Sequence, residues 1–198
     1  EGLRTTIFFK GCPLRCRWCQ NPEGLLPQRK PIYLENKCMH CRNCEKQGAG
    51  KIVYQDRPVF IEDDLDEVFK YCPTDAIQYD SSYYSLEELV DKVMEDEVFF
   101  KYGGGVTVSG GEPFMQQKKL IQLLEELHTK VHTAIETSLY TSLDLVKQAA
   151  PYLDQIYCDL KIEDDKAHLE ATGVSNTIIK ENLSYLLTSE HKDKVIVR

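Results

Sequence analysis

The chain has 198 residues, a net charge of −8 and eight cysteines, enough for one full core with a small insertion. It carries no apolar run of membrane-spanning length and no signal-peptide pattern, so a soluble protein with no membrane partner is expected. The acidic balance argues against a nucleic-acid backbone as partner, and cysteines clustered at 12/16/19 and 38/41/44 point to metal in a reducing cytoplasm rather than to secreted disulfides.

Charge is unevenly spread. Arg4, Lys10, Arg15, Arg17, Arg29 and Lys30 face only Glu1 and Glu23 in the first stretch, whereas the rest of the chain is acidic. A basic island of this kind is either a solvated loop or a docking surface.

The apolar run Thr5–Phe9 reads as a buried β-strand ending at Gly11. Cys12, Cys16 and Cys19 follow on the loop leaving its C-terminal end. Thiolates so close can converge on one soft metal centre. A cubane iron–sulfur cluster has about four irons, and three sulfurs leave one iron open to a substrate, as in catalytic metal sites generally. A zinc loop fits this spacing poorly, since zinc loops usually pair one C-x2-C with another. Three unconnected core cysteines are the remaining alternative.

From Lys30 to Tyr79 the sequence is polar and rich in turn residues, and reads as an insertion over residues 31–79. It holds Cys38, Cys41 and Cys44, then Cys72-Pro73. Lys51–Tyr54 and Pro58–Ile61 read as a hairpin, and Asp63–Tyr71 as a helix with acids in its first turn. Zinc is an alternative occupant for four thiolates, with His40 as a less favoured ligand beside Cys38 and Cys41.

After Tyr79 the rhythm is regular. Ser85 to Glu88 forms a capping-box pattern opening a helix to about Glu95. A strand at Val106–Ser109 runs into Gly110-Gly111-Glu112. Gln117 to about Lys130 is a helix with Leu120, Leu123, Leu124 and Leu127 on one face. His132–Ser138 is a strand, Ser142–Ala150 a helix, Asp154–Lys161 a strand, Asp164–Ala171 and Thr177–Leu187 helices, and Lys194–Arg198 a further strand. The alternation predicts a parallel α/β sheet, either an open doubly wound sheet or a barrel, formed by residues 1–30 and 80–198. In both, ligands gather at the C-terminal ends of the strands.

The chemistry-bearing residues stop at those ends. Gly110 and Gly111 offer backbone without bulk, letting a ligand approach closely; a plain strand-to-helix turn is the alternative. Period-two alternation puts Tyr157, Asp159 and Lys161 on one face and Cys158 on the other, where it reads as a small core hydrophobe. Asp159 and Lys161 together could grip a zwitterion or carboxylate, and Glu136 would face the same cavity.

Taken together, Cys12-x3-Cys16-x2-Cys19, Ser109–Pro113, Glu136–Ser138, Asp159-Leu160-Lys161 and Gly173–Asn176 resemble the radical S-adenosylmethionine superfamily. More narrowly they resemble the activating enzymes of glycyl radical enzymes, from about Leu3 to Arg198. The resemblance implies a partial (β/α) barrel of about five parallel strands with a ferredoxin-like insertion, as a fragment of a longer chain. It implies a [4Fe–4S] cluster on Cys12, Cys16 and Cys19 whose open iron chelates S-adenosylmethionine. Trp18, Cys19, Gln20, Gly110, Gly111, Glu112, Glu136, Asp159, Leu160 and Lys161 would surround that cofactor. Cys38, Cys41, Cys44 and Cys72 would hold one auxiliary [4Fe–4S] cluster. Glu136, Thr137, Tyr157 (through its carbonyl) and Asp159 fall where a monovalent cation sits in some members.

The activity implied is reductive cleavage of S-adenosylmethionine, followed by hydrogen removal from a glycine of a partner glycyl radical enzyme. A flavodoxin- or ferredoxin-type donor would supply the electron, docking on the basic island. Two alternatives stand beside it: a radical enzyme acting on a small molecule or another peptide site, and a two-cluster electron carrier.

Overall fold

The computed structural model describes residues 2–198. Along the chain the strands are β1 (Arg4–Phe9), β2 (Pro31–Tyr33), β3 (Ile52–Tyr54), β4 (Pro58–Phe60), β5 (Ile77–Tyr79), β6 (Gly105–Gly110), β7 (Thr133–Thr137), β8 (Gln155–Cys158) and β9 (Val195–Val197). The helices are α1 (Asn43–Gln47), α2 (Asp66–Phe69), α3 (Leu86–Met94), α4 (Glu97–Phe100), α5 (Gln117–Leu127), α6 (Leu143–Ala149), α7 (Asp165–Thr172) and α8 (Thr177–Thr188). They form two compact units, one from the segment ending at Pro27 with Tyr84–Arg198, the other from Gln28–Tyr83.

The larger unit is built on a five-stranded sheet in the order β1-β6-β7-β8-β9, every neighbour parallel. Each new strand is added on the same side of the last. Right-handed crossovers that always step the same way put all connecting helices on one face, which is the winding of a partial (β/α) barrel and not of a doubly wound sheet. The register lines up Ile7, Val108, Ile135, Ile156 and Val195 in one row across the sheet. All five are β-branched isoleucine or valine, which pack well on a pleated surface. They meet Leu120, Leu123, Leu124 and Leu127 of α5, all essentially inaccessible, so the leucine stripe does face the sheet. α3 starts at the expected capping box, with Ser85 Oγ accepting from Glu88 N at 3.1 Å and Glu88 Oε2 accepting from Ser85 N at 2.7 Å.

One residue along, the opposite face carries Phe8, Ser109, Glu136, Tyr157 and Ile196. Polar groups are thereby placed on the open face at the C-terminal ends of the strands, where ligands bind in parallel sheets.

The smaller unit has two antiparallel pairs, β2 with β5 and β3 with β4. Only the second was expected. In order its elements read β2-α1-β3, then β4-α2-β5, a strand-helix-strand unit occurring twice. The outer strands pair with each other and the inner strands with each other, as an internal two-fold requires. Cys44, Ile52, Leu65, Val68 and Ile77 form its core. The helix expected over 63–71 shortens to Asp66–Phe69, because Asp63 and Asp64 stay outside the first turn.

The last expected boundary also moves. β8 stops at Cys158, and Lys161 has φ +65°, so a turn rather than strand alternation sets the directions of Asp159 and Lys161. Cys158 is buried in the core, as its position on the helix-facing side requires, and burial pushes its thiol up to about 12. No helix among the described residues is long and apolar enough to cross a membrane.

Candidate functional site

The cysteine loop is fastened on two sides. Gly11, at φ +98°, lets the chain turn out of β1, and its N–H donates to Gly24 O at 2.8 Å. Cys12 N donates to Leu25 O at 3.2 Å. On the other side Arg15 N donates to Thr172 O at 2.6 Å and Arg17 N to Ala171 O at 3.1 Å. These two carbonyls belong to the C-terminal turn of α7, where helices leave carbonyls without internal partners. The Arg15 guanidinium closes the loop on itself, bonding Cys12 O at 2.5 Å and Leu14 O at 2.8 Å.

Cys12, Cys16 and Cys19 are free thiols of intermediate exposure, and all three line one cavity of about 440 Å³. Burial pushes the Cys12 thiol up to about 11 and raises Cys16 as well, the latter opposed by the nearby Lys161 charge. Without metal both are protonated at neutral pH; coordination to iron would displace those protons.

The glycine loop packs against this stem. A Cβ on Gly111 would lie 2.3 Å from Gly11 O and 2.6 Å from Gly24 O, and one on Gly110, at φ +109°, 2.5 Å from Phe9 N and O. Close approach to the main chain is therefore required here, but by the protein's own backbone. Gly111 N donates to Phe9 O and Glu112 N to Gly11 O, each at 2.8 Å. The Glu112 carboxylate is buried and accepts from Thr137 Oγ1 at 2.7 Å, Ser138 N at 2.9 Å, Ser138 Oγ at 2.6 Å and Phe114 N at 3.3 Å. It ties the end of β6 to the end of β7. Burial raises its pKa, against the pull of those donors.

Four charged groups meet at the rim. Ser109 Oγ donates to Glu136 Oε2 at 2.6 Å, and Arg198 Nη1 to Glu136 Oε1 at 3.0 Å. Arg198 Nε donates to Asp159 Oδ1 at 3.0 Å, and Lys161 Nζ lies 3.4 Å from Asp159 Oδ2. The segment after Asp159 is held by Asn176, whose amide donates to Ile162 O and Glu163 O, each at 2.9 Å.

Trp18, Gln20, Gly110, Gly111, Glu112, Glu136, Asp159 and Lys161 all line the cavity with the three cysteines. Thr137, Ser138 and Arg198 line it too. Leu160 and Tyr157 do not: Leu160 packs against the core, and the Tyr157 ring lies 5.2 Å from the Arg198 guanidinium carbon. Arg198 was missed by sequence reasoning. It directly follows the last strand of the sheet, so the rule that functional groups sit at C-terminal strand ends would have found it.

The donor set fits an iron–sulfur centre, with three thiols lining the same cavity as the basic groups Lys161 and Arg198. In the smaller unit, burial raises the Cys44 thiol, and Cys72 and Cys41 act on it by charge, which puts these sulfurs in one neighbourhood. Burial pushes the Cys72 thiol up, but bonds from the backbone of Thr74, Ala76 and Ile77 outweigh it and leave the thiol lowered. Ala76 N donates to Cys72 Sγ at 3.2 Å and His40 N to Cys38 Sγ at 3.4 Å. The His40 ring nitrogen Nδ1 is 2.6 Å from Tyr54 Oη, engaged with a hydroxyl. No three His, Cys, Asp or Glu among the described residues close on a single-ion site.

Residues 1–180 match the family model described as "4Fe-4S single cluster domain". The chain is 39% identical over 206 residues to the choline trimethylamine-lyase activating enzyme of Oleidesulfovibrio alaskensis, covering 99% of this chain and 66% of that protein. It is 39% identical over 212 residues to the isethionate sulfite-lyase activating enzyme of Nitratidesulfovibrio vulgaris, covering 100% and 68%. It is 32% identical over 213 residues to the indoleacetate decarboxylase activating enzyme of Tractidigestivibacter scatoligenes, covering 100% and 67%. A solved domain of pyruvate-formate lyase-activating enzyme from Bacteroides vulgatus is 28% identical with a TM-score of 0.43, covering 48% of this chain and 59% of that one. The chain spans about two thirds of the length of the curated relatives it matches.

A parallel α/β sheet with a thiol-lined cavity at its strand ends and a 4Fe–4S family match defines an iron–sulfur protein. Within that class, the chain belongs to the radical S-adenosylmethionine activating enzymes of glycyl radical enzymes.

Proposed function

We propose that Cys12, Cys16 and Cys19 hold a [4Fe–4S] cluster with one open iron, and that S-adenosylmethionine binds in the cavity beside it. The observation carrying this is the meeting of three thiols with groups from four strand ends in one cavity. When bound, the cluster would supply one electron to split the S–C5′ bond into methionine and a 5′-deoxyadenosyl radical, which would take a hydrogen atom from a glycine of a partner glycyl radical enzyme. The protein's part is to bind, aim and exclude water. Lys161 offers charge to the amino-acid carboxylate, while the half-exposed ring of Trp18 offers a face for the adenine. Glu112 acts through what it holds, fixing two strand ends where they line the cavity. A flavodoxin- or ferredoxin-type donor would reach the cluster in the cytoplasm.

For residues 31–79 we propose a ferredoxin-like module with one auxiliary [4Fe–4S] cluster on Cys38, Cys41, Cys44 and Cys72. The internal repeat supports a single cluster. Cys38, Cys41, Cys44 and Gly48 in the first half align with Glu62, Leu65, Val68 and Cys72 in the second. In two-cluster ferredoxins each half gives three close cysteines to one cluster and a remote Cys-Pro to the other. Here one half keeps the three and the other keeps the remote one, which completes one set. Leu65 and Val68, at the positions of the missing thiols, are buried in the core.

The test is anaerobic reconstitution followed by iron and sulfide counts and product analysis. The wild type should load about eight irons and convert S-adenosylmethionine with dithionite into 5′-deoxyadenosine and methionine. A protein that loads iron and makes neither product would favour the electron-carrier reading.

A further inference from the structure

The two carboxylates expected to hold a monovalent cation already have partners within the protein. Both oxygens of each carboxylate are already engaged: Glu136 by Arg198 Nη1 at 3.0 Å and Ser109 Oγ at 2.6 Å, Asp159 by Arg198 Nε at 3.0 Å and Lys161 Nζ at 3.4 Å. Thr137 Oγ1 donates to Glu112 and accepts from Leu139 N at 2.9 Å. Hard cations need several oxygen ligands, and here three of the carboxylate oxygens already serve the protein's own cations, while Glu136 Oε2 and Thr137 Oγ1 are engaged by hydroxyl, carboxylate and backbone partners. Two carboxylates face two basic groups, so the local charge already balances.

We infer that the Arg198 guanidinium is the built-in counter-cation of this site, bridging Glu136 and Asp159 where an alkali ion would otherwise sit. Its place is set by backbone as well as by charge. Arg198 N donates to Cys158 O at 2.8 Å and Leu160 N to Arg198 O at 3.1 Å, extending the β8–β9 ladder past its last strand residues. The side chain therefore leaves a fixed point of the sheet. A guanidinium stays charged at all working pH values and presents N–H groups in a planar fork; one such fork spans two carboxylates without the open coordination shell an exchangeable ion requires. Tyr157, beneath it at 5.2 Å, adds an aromatic face.

This inference rests on the proposal that S-adenosylmethionine binds in the cavity. The consequence is that its binding needs no added alkali cation. The experiment compares the cluster-loaded protein in potassium, sodium and tetramethylammonium chloride at equal ionic strength. Equilibrium binding of S-adenosylmethionine by the wild type should agree within about two-fold across the three salts. Arg198→Ala should bind about ten-fold more weakly in tetramethylammonium and regain part of the loss with potassium, sodium or millimolar guanidinium.

Thermal melting of the cluster-loaded protein gives a second readout. Potassium should raise the midpoint of Arg198→Ala relative to tetramethylammonium and leave that of the wild type unchanged. Wild-type binding stimulated about five-fold or more by potassium or sodium would overturn the inference. So would a variant whose binding and melting ignore the cation. If Arg198→Ala fails to fold, the wild-type salt comparison and Arg198→Gln decide. A wild type that binds no S-adenosylmethionine in any salt would instead defeat the proposed function, while the melting comparison still judges Arg198.

Discussion

The backbone N–H of Arg15 donates to Thr172 O at 2.6 Å, joining the middle of the cysteine loop to the last turn of α7. The turn that presents this carbonyl is itself fixed. His168 Nδ1 lies 2.7 Å from Val174 O and 3.0 Å from Thr172 Oγ1, and Gly173 closes the helix at φ +83°. A Cβ at Gly173 would meet only Arg15 Cβ, at 3.7 Å, so sterics tolerate alanine while the left-handed backbone does not. Gly173→Ala should cost about 1–2 kcal/mol of stability, read by denaturant midpoint, and should also broaden or shift the first cluster's electron paramagnetic resonance signal. An unaltered signal with full stability would remove α7 from the account of the loop.

Gly111→Ala should be far more damaging. Its Cβ would enter both the Gly11 and the Gly24 carbonyl, and no flexible side chain is there to yield. A loss of more than about 3 kcal/mol is expected, with the cysteine loop displaced and cluster loading reduced. Gly50 provides the contrast: its φ is +85°, but a Cβ there meets nothing within 4 Å, so alanine should cost only about 1 kcal/mol. Comparing the two melting midpoints separates collision from backbone strain.

Glu112 gives a pH signature. Burial raises its folded pKa above the ordinary carboxylate range, with the bonds from Ser138 and Thr137 opposing. The folded state then binds the proton more tightly than the unfolded one, so this group's contribution falls as pH rises above about 4.5 through that raised value. Against Glu112→Gln, the wild type should therefore gain stability as the pH is lowered through the same window. A difference that stays flat, or shrinks, contradicts the assignment.

The basic loop is tested at Arg17. Arg15 is unsuitable alone, because its guanidinium holds Cys12 O and Leu14 O, whereas Arg17 is exposed. Arg17→Glu should slow cluster reduction by an acidic flavodoxin and flatten its salt dependence, as stopped-flow absorbance would record. Equal rates at low salt would sink the docking idea.

Much of the larger unit was legible because buried rows announce themselves. Ile7, Val108, Ile135 and Ile156 sit in short β-prone runs between helical segments, and the α5 leucines repeat at helical spacing. What escaped were features set by distant backbone. Nothing local in lysine signals the left-handed turn at Lys161, which Asn176 stabilises by binding the carbonyls of Ile162 and Glu163. Gly110 and Gly111 were read as room for a ligand, yet the bodies nearest them are Phe9, Gly11 and Gly24. Arg198 has no motif around it and gains meaning only beside Glu136 and Asp159. The repeat in the smaller unit was hidden because Glu62, Leu65 and Val68 stand where a second set of cysteines would have marked it.

The auxiliary set separates from Cys158 by metal content. Cys72→Ser should lower the load by about four irons, while Cys158→Ala, deep in the core, should leave the count intact and cost about 1 kcal/mol or more through the cavity it opens. Loss of iron on changing Cys158 would show that the cysteines have been sorted wrongly.

The central claim is that three thiols hold a cluster whose open iron takes S-adenosylmethionine. It is tested most directly by quantifying 5′-deoxyadenosine from the reconstituted, dithionite-reduced protein and from Cys16→Ala under the same conditions. The account predicts steady formation by the wild type and by a Cys38/Cys41 double variant, and none by Cys16→Ala. Equal yields from wild type and Cys16→Ala, or none from a fully iron-loaded wild type, would contradict it.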